Sequence, residues 1–197
     1  LITSVAALAL GLSAFAETNM VTKLKNGQLI KYSVEEIEEV FFEDYVDESE
    51  TPLKFTILTD STAAVAEDLA YVSLTGVVKI PSKVKIDGKI YKVTSIGEDA
   101  FSGCEGLTEI VIPSGVNVIA NHAFQDCEAL SKIVIPSGVT SIETGVFSGC
   151  VNLKSVSIPS TVISIGVYAF QNCSSLVAVE IPTSVTTIED NAFFRCS

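Results

Sequence analysis

Four stretches of this chain spell one pattern: LTEIVIPSGVNVIANHAFQDC (107–127), LSKIVIPSGVTSIETGVFSGC (130–150), LKSVSIPSTVISIGVYAFQNC (153–173) and LVAVEIPTSVTTIEDNAFFRC (176–196). Cys104, Cys127, Cys150, Cys173 and Cys196 fall 23 residues apart. Phe101, Phe124, Phe147, Phe170 and Phe193 keep the same step, as do Pro113, Pro136, Pro159 and Pro182. Chance does not supply three registers of one period, and a fixed period in this range marks a solenoid.

The chemistry of each position follows from the coil. Leu107, Ile110 and Ile112 point inward along a short strand, and Pro113 ends its hydrogen bonding. Val116 and Ile119 form a second inward pair on the return path, and Ala123 and Phe124 fill the core from the outer arc. One coil cannot bury these faces alone; stacking does, with backbones ~4.8 Å apart. The predicted fold is therefore a β-dominated repeat solenoid of five 23-residue coils, with parallel strands on the concave face and short helical or irregular turns on the outer arc.

The string Leu-x-x-Ile-x-Ile-Pro-x-x-Val-x-x-Ile-x-x-x-Ala-Phe-x-x-Cys resembles the BspA-like leucine-rich repeat of bacterial surface proteins. Departures are small: Val146 stands for Ala, and Val156 for Ile. The resemblance implies secretion, a curved repeat surface, and adhesion to host or neighbouring-cell proteins.

Upstream the pattern loosens. Ile80-Pro81-Ser82-Lys83-Val84 matches the strand exit, and Val93-Thr94-Ser95-Ile96 resumes the outer path to Ala100-Phe101. Nine extra residues lie between Pro81 and Cys104 relative to the later coils, and they contain Asp87-Gly88 flanked by Lys-Ile pairs. That dipeptide predicts a hairpin over 84–93 that projects from or lids the first coil. Phe55 to Leu58 and the stretch near Tyr71 to Leu74 are expected to add strands capping the apolar end of the stack. Four segments result: a partial signal peptide at 1–16, a small hairpin-helix piece with an acidic linker at 17–50, an N-terminal cap at 51–76, and the repeats at 77–197.

Residues 1–12 are almost wholly apolar, and Ala14-Phe15-Ala16 has the small-x-small form that signal peptidase cuts, so Glu17 is the expected mature start. The run is too short to span a membrane. Val21 to Leu24, the turn at Asn26-Gly27, and Leu29 to Tyr32 read as a hairpin. Ser33 with Glu36 makes a capping box opening a helix to about Val40, and 43–52 reads as a linker. Since 197 follows a coil directly, further repeats or a tail are expected beyond it.

The net charge of −12 argues against nucleic acid and anionic membranes as partners. Nine carboxylates and no base lie between Val34 and Leu53. Such a run is a solvated face leading into a linker, or else a weak cation site. In-register cysteines keep their Cβ atoms near ~4.8 Å, wider than the ~3.8 Å a disulfide prefers, so the ladder reads as buried thiols, with disulfide pairing or a metal site as alternatives. His122, the only histidine, shares its position with Asp99, Gly145, Tyr168 and Asn191, which marks an exposed filler position. The pairs Glu98-Asp99 and Glu189-Asp190 recur only loosely. No nucleophile has a base beside it, and no zinc spacing or phosphate loop occurs, so no enzyme activity, cofactor or metal is expected.

Binding remains. The outward strand positions include Glu109, Ser131, Lys132, Lys154, Ser155, Ser157 and Glu180, on the sheet where partners of leucine-rich repeats commonly dock. Lys132 and Lys154 are expected near each other on adjacent strands, as the only basic spot on a very acidic molecule. The set lacks Trp, Tyr and Arg anchors and can equally be plain sheet surface. Two functions are carried forward: a secreted or cell-surface module that binds extracellular proteins of a host or of other bacteria, and a structural spacer that displays another domain.

Overall fold

The computed structural model describes residues 19–23, 29–33 and 45–196, which belong to two units, one ending at Asp44 and one beginning at Tyr45. The expected leader, the Asn26-Gly27 turn and the helix running to Val40 lie outside the described residues. In the first unit β1 (Asn19–Lys23) pairs antiparallel with β2 (Leu29–Ser33), Asn19 opposite Ser33 and Lys23 opposite Leu29.

The second unit is a stack of coils with parallel ladders on two sides. One side carries β6 (Gly76–Lys79), β9 (Leu107–Val111), β11 (Lys132–Val134) and β13 (Ser155–Ser157), adjacent in the order β13-β11-β9-β6. On the return path β12 (Ser141–Ile142), β14 (Ser164–Ile165) and β15 (Thr187–Ile188) form a second parallel ladder, Ile142 beside Ile165 and Ile165 beside Ile188. A parallel neighbour in the next coil needs the chain to travel a full circuit, which is what a 23-residue repeat provides.

The core runs up the middle of the stack. Leu107, Leu130 and Leu153 are fully buried, as are Phe101, Phe124, Phe147 and Phe170. The rings stack parallel in one column, with centroids 5.4 Å apart for Phe101–Phe124, 5.7 Å for Phe124–Phe147, 5.3 Å for Phe147–Phe170 and 5.1 Å for Phe170–Phe193. These separations lie in the range where offset stacking adds about 0.5–1.5 kcal/mol per pair to the burial of the rings.

The cysteines line the same core and hold a carbonyl. Sγ of Cys127 lies 3.1 Å from the Phe101 carbonyl oxygen, that of Cys150 3.2 Å from Phe124, and that of Cys173 3.1 Å from Phe147. Each of those oxygens also accepts the backbone N–H of the cysteine three residues on, as Phe101 does from Cys104 at 3.1 Å. The thiol therefore fills the second lone pair of a buried carbonyl, while remaining small and mostly apolar.

On the outer arc every second N–H turns toward the next coil: Asp99, Phe101 and Gly103 donate to the carbonyls of Asn121, Ala123 and Gln125. That alternation places the flanking residues in the left-handed region. Asp99, His122, Gly145, Tyr168 and Asn191 have φ of 53°, 55°, 62°, 57° and 58°. The residues at His122's position thus share a backbone demand across five coils, which exposure alone does not describe.

The N-terminal end is built differently. β7 (Lys83–Ile86) and β8 (Lys89–Ile96) form the antiparallel hairpin expected from Asp87-Gly88, whose φ of 49° and 83° suit a tight turn between twisted strands. It lids the first coil rather than projecting from it, because Val84, Tyr91 and Val93 are buried. β4 (Phe55–Ile57) pairs antiparallel with β5 (Thr62–Val65), and β5 runs parallel to β8. β8 in turn carries β10 (Val118–Ile119), which ties the cap to the repeats.

Two expectations are corrected here. The acidic stretch from Tyr45 on is not a plain linker, because β3 (Val46–Asp47) pairs parallel with β7 and a 3-10 turn at Glu48–Glu50 follows, capped by the Asp47 carboxylate. Free edge groups of β7 reward this pairing in spite of the charge. The stretch near Tyr71 is a 3-10 turn, Leu69–Ser73, rather than a strand; the Asp68 side chain accepts from the Ala70 N–H at its start. The turn swings Tyr71 inward, where its ring stacks on Phe101 at 5.5 Å. Tyr71 is the first ring of the phenylalanine column.

Candidate functional site

The exposed face of the β6–β9–β11–β13 sheet holds the residues singled out in the sequence. Alternation along each strand sends Ile110 and Ile133 inward and leaves Glu109, Val111, Lys132 and Val134 outside. Lys132 sits beside Glu109 on one side and Ser155 on the other, while Val134 sits beside Ser157. Ser131 and Lys154 belong to the preceding row: the Lys154 N–H donates to the Ser131 carbonyl at 2.9 Å, and the Ser131 N–H donates to Thr108 at 3.2 Å.

Register therefore offsets the two lysines by one residue. Lys132 Nζ lies 3.3 Å from Glu109 Oε1, so a carboxylate on the neighbouring strand balances this charge, while Lys154 stands in the other row, beside Ser131. The basic spot is weaker than charge counting suggested. Glu180 falls beyond the ladder, since residues 177–181 form no strand. Their inward Val179 is only partly buried and Ile181 is 36 % exposed.

Along this face Val111 and Val134, 42 % and 66 % exposed, make a small apolar strip flanked by the serines. The arrangement offers mixed polar and apolar contact over a continuous sheet. Among the described residues no polar or charged side chain is buried, so nothing on the face is tied to the core by a polar network.

Three thiols of the ladder, Cys127, Cys150 and Cys173, are poor nucleophiles, whereas the hydrogen bond with Cys127 lowers the Cys104 thiol against the opposing effect of burial. A reactive thiol must ionise readily. Burial pushes the Cys150 thiol well up and the Cys173 thiol up to about 12, while the neighbouring Cys104 and burial push Cys127 up further. These are structural thiols at neutral pH.

One grouping escaped the sequence reading. Glu98, Asp99 and His122 each bring one ligand atom within 4.8 Å of the others. The signal was present in the repeat, since Asp99 and His122 are one period apart, but it emerges only once coils are stacked.

Known proteins agree with this architecture. A crystal structure of a leucine-rich repeat protein from Bacteroides ovatus is similar, with 38% identity, a TM-score of 0.62, and coverage of 72% of this chain and 37% of that one. A T. pallidum leucine-rich repeat protein matches with 32% identity and a TM-score of 0.65, over 73% of this chain and 64% of the other. A leucine-rich cell surface protein from Faecalibacterium prausnitzii matches with 27% identity and a TM-score of 0.53, over 73% and 50%. The chain thus spans between about a third and two thirds of the length of these relatives. No curated protein matches it. Proteins built of leucine-rich repeats are in general non-enzymatic modules that bind other proteins, and among the described residues no helix is long and apolar enough to cross a membrane. The model of the BspA type leucine-rich repeat region matches residues 80–197 in six copies, the stretch that carries the five stacked phenylalanines and the thiol ladder, and the chain belongs to that family.

Proposed function

We propose that this chain is an exported, cell-surface binding module that docks an extracellular protein, of a host or of another bacterium, on the outward face of its four-stranded sheet. The observation that carries this reading is the continuity of that face: Glu109, Lys132 and Ser155 share one row and Ser131 with Lys154 another, all outside the core. Such positions can vary without disturbing the stack, which is why repeat surfaces become binding faces. Membership of a bacterial surface-type repeat family supports the location, as does the likeness to a protein named for the cell surface. Ser157 extends the contact beside Val134, and Glu180 would lie at its rim.

The test is a double charge reversal, Lys132→Glu with Lys154→Glu. It places a second carboxylate against Glu109, so stability is expected to fall by about 0.5–1 kcal/mol, small for an exposed pair. Adhesion of beads carrying the protein to extracellular-matrix proteins or to other bacteria is expected to fall sharply. Adhesion equal to wild type, or absent from both proteins, leaves the spacer function instead.

A further inference from the structure

We infer that Glu98, Asp99 and His122 form a binding site for a divalent transition-metal ion, zinc by the chemistry of its donors, which clamps the first two repeat coils together on the outer arc. The residues come together through the repeat. Asp99 and His122 hold the same place in successive coils, and the Asp99 N–H donates to the carbonyl of Asn121, next to His122, at 3.1 Å. Both have left-handed backbones, with φ of 53° and 55°, and their side chains leave the arc in the same sense. Glu98 adds a second carboxylate from the lower coil.

The next coil is cut back for the imidazole. A Cβ on Gly145 would lie 2.4 Å from His122 Cδ2 and 2.8 Å from Nε2, so the ring occupies space that any other residue at 145 would fill. The imidazole thus packs over Gly145 while one of its nitrogens stays within 4.8 Å of both carboxylates. None of the three side chains has a hydrogen bond or ion pair with any described residue. Three potential ligands converge, two of them acidic, and among the described residues no lysine or arginine forms an ion pair with them.

The donor set selects the ion. Calcium and magnesium take oxygen ligands in larger number, whereas imidazole with carboxylates suits zinc and its neighbours in the transition series. Zinc bonds of about 2.0–2.2 Å place tetrahedral ligand atoms roughly 3.3–3.6 Å apart. Closing from the observed span of at most 4.8 Å takes a rotation of the exposed Glu98 side chain. Three protein ligands leave a fourth position for water or for a group from a partner.

The repeat itself supplies a variant that keeps the fold. Asn191 stands at His122's position in the last coil with φ of 58°, so His122→Asn preserves the backbone while removing the imidazole. Zinc ions alone, titrated calorimetrically into the folded wild-type protein, are expected to bind one equivalent in the micromolar range. Loss of a direct ligand should weaken binding at least about 100-fold in His122→Asn, since even supporting groups are worth about 10–100-fold. Glu98→Gln should also weaken it. At zinc 100-fold above the dissociation constant the wild-type Tm is expected to rise by about 5–10 °C, and that of His122→Asn to stay put. Equal binding by both proteins would assign the ion to the thiols or to the acidic N-terminal stretch and overturn the proposal, as would no binding by either.

Discussion

The middle of the stack and its N-terminal end solve one problem with different residues. In the middle each ring is a phenylalanine, each partner of the ring carbonyl is a cysteine, and ring follows ring 5.3–5.7 Å apart. At the end Tyr71 takes the place of phenylalanine and Leu74 the place of cysteine. A hydroxyl inside the column would lie in an apolar core, since among the described residues no polar or charged side chain is buried there. At the end it meets the cap, where the Lys54 N–H donates to the Tyr71 hydroxyl and the hydroxyl in turn donates to the Lys54 carbonyl at 3.4 Å. Leu74 needs no donor, because among the described residues no ring carbonyl lies below Tyr71 for a thiol to reach. The difference teaches that a repeat position is defined by what it must satisfy. The ring column begins one ring before Phe101, at Tyr71.

The harshest test of the contrast removes a ring. Phe147→Ala, in the middle, is expected to cost about 3–5 kcal/mol, because neighbours held on both sides cannot collapse into the cavity. Phe193→Ala, where the ring is only partly buried, should cost less than half of that. Urea unfolding of both variants measures it; equal losses would mean that the column does not carry the stack.

A subtler test exchanges the hydroxyl. Phe147→Tyr is expected to lose about 1–3 kcal/mol by burying an oxygen without a partner, and Tyr71→Phe about 1–2 kcal/mol by stranding the Lys54 N–H. The second variant also changes the response to alkali. Burial pushes the Tyr71 phenol from 10.0 up to about 12, against the lowering effect of the Lys54 bond, and burial pushes the Cys173 thiol from 9.0 up to about 12. Groups whose folded values are raised stabilise fully below the unfolded value. Wild-type stability is therefore expected to decline between pH 9 and 12, and Tyr71→Phe to decline less above pH 10. Identical alkaline curves would show that the phenol is not held neutral by the cap.

The smallest effect concerns strain that the regular coils carry on their outer arc. Tyr168 sits at φ 57° and is 40 % exposed, so Tyr168→Gly is expected to raise stability by about 0.5–1 kcal/mol. A thermal midpoint that falls instead would show that the side chain contributes packing worth more than the strain.

Much of this molecule was legible before folding. The solenoid, its inward Leu107, Ile110 and Ile119, the buried cysteines and the Asp87-Gly88 hairpin follow from period and alternation, which are local properties of the chain. The turn at Leu69–Ser73 was harder, since its short apolar run is compatible with strand or turn until a column of rings draws Tyr71 inward. The register on the sheet was also written in the period: Lys132 stands 23 residues after Glu109 and 23 before Ser155, so its strand neighbours are Glu109 and Ser155, and Lys154 falls one residue out of line. The ion pair with Glu109 needed the side chains in place.

By itself, the sequence determined that this chain makes stacked coils with a phenylalanine and a cysteine at fixed places in each, because a strict 23-residue period leaves no other way to bury those faces. Only the tertiary structure decided what those places do: that the thiols of Cys127, Cys150 and Cys173 each fill the second lone pair of a ring carbonyl 26 residues back while that of Cys104 reaches the Tyr71 carbonyl 33 residues back, that Tyr71 closes the column against Lys54, and that Glu98, Asp99 and His122 meet on one arc. The reason is physical. Periodicity fixes which residues share a side of the coil, while hydrogen bonds and ligand distances depend on how far one coil lies from the next.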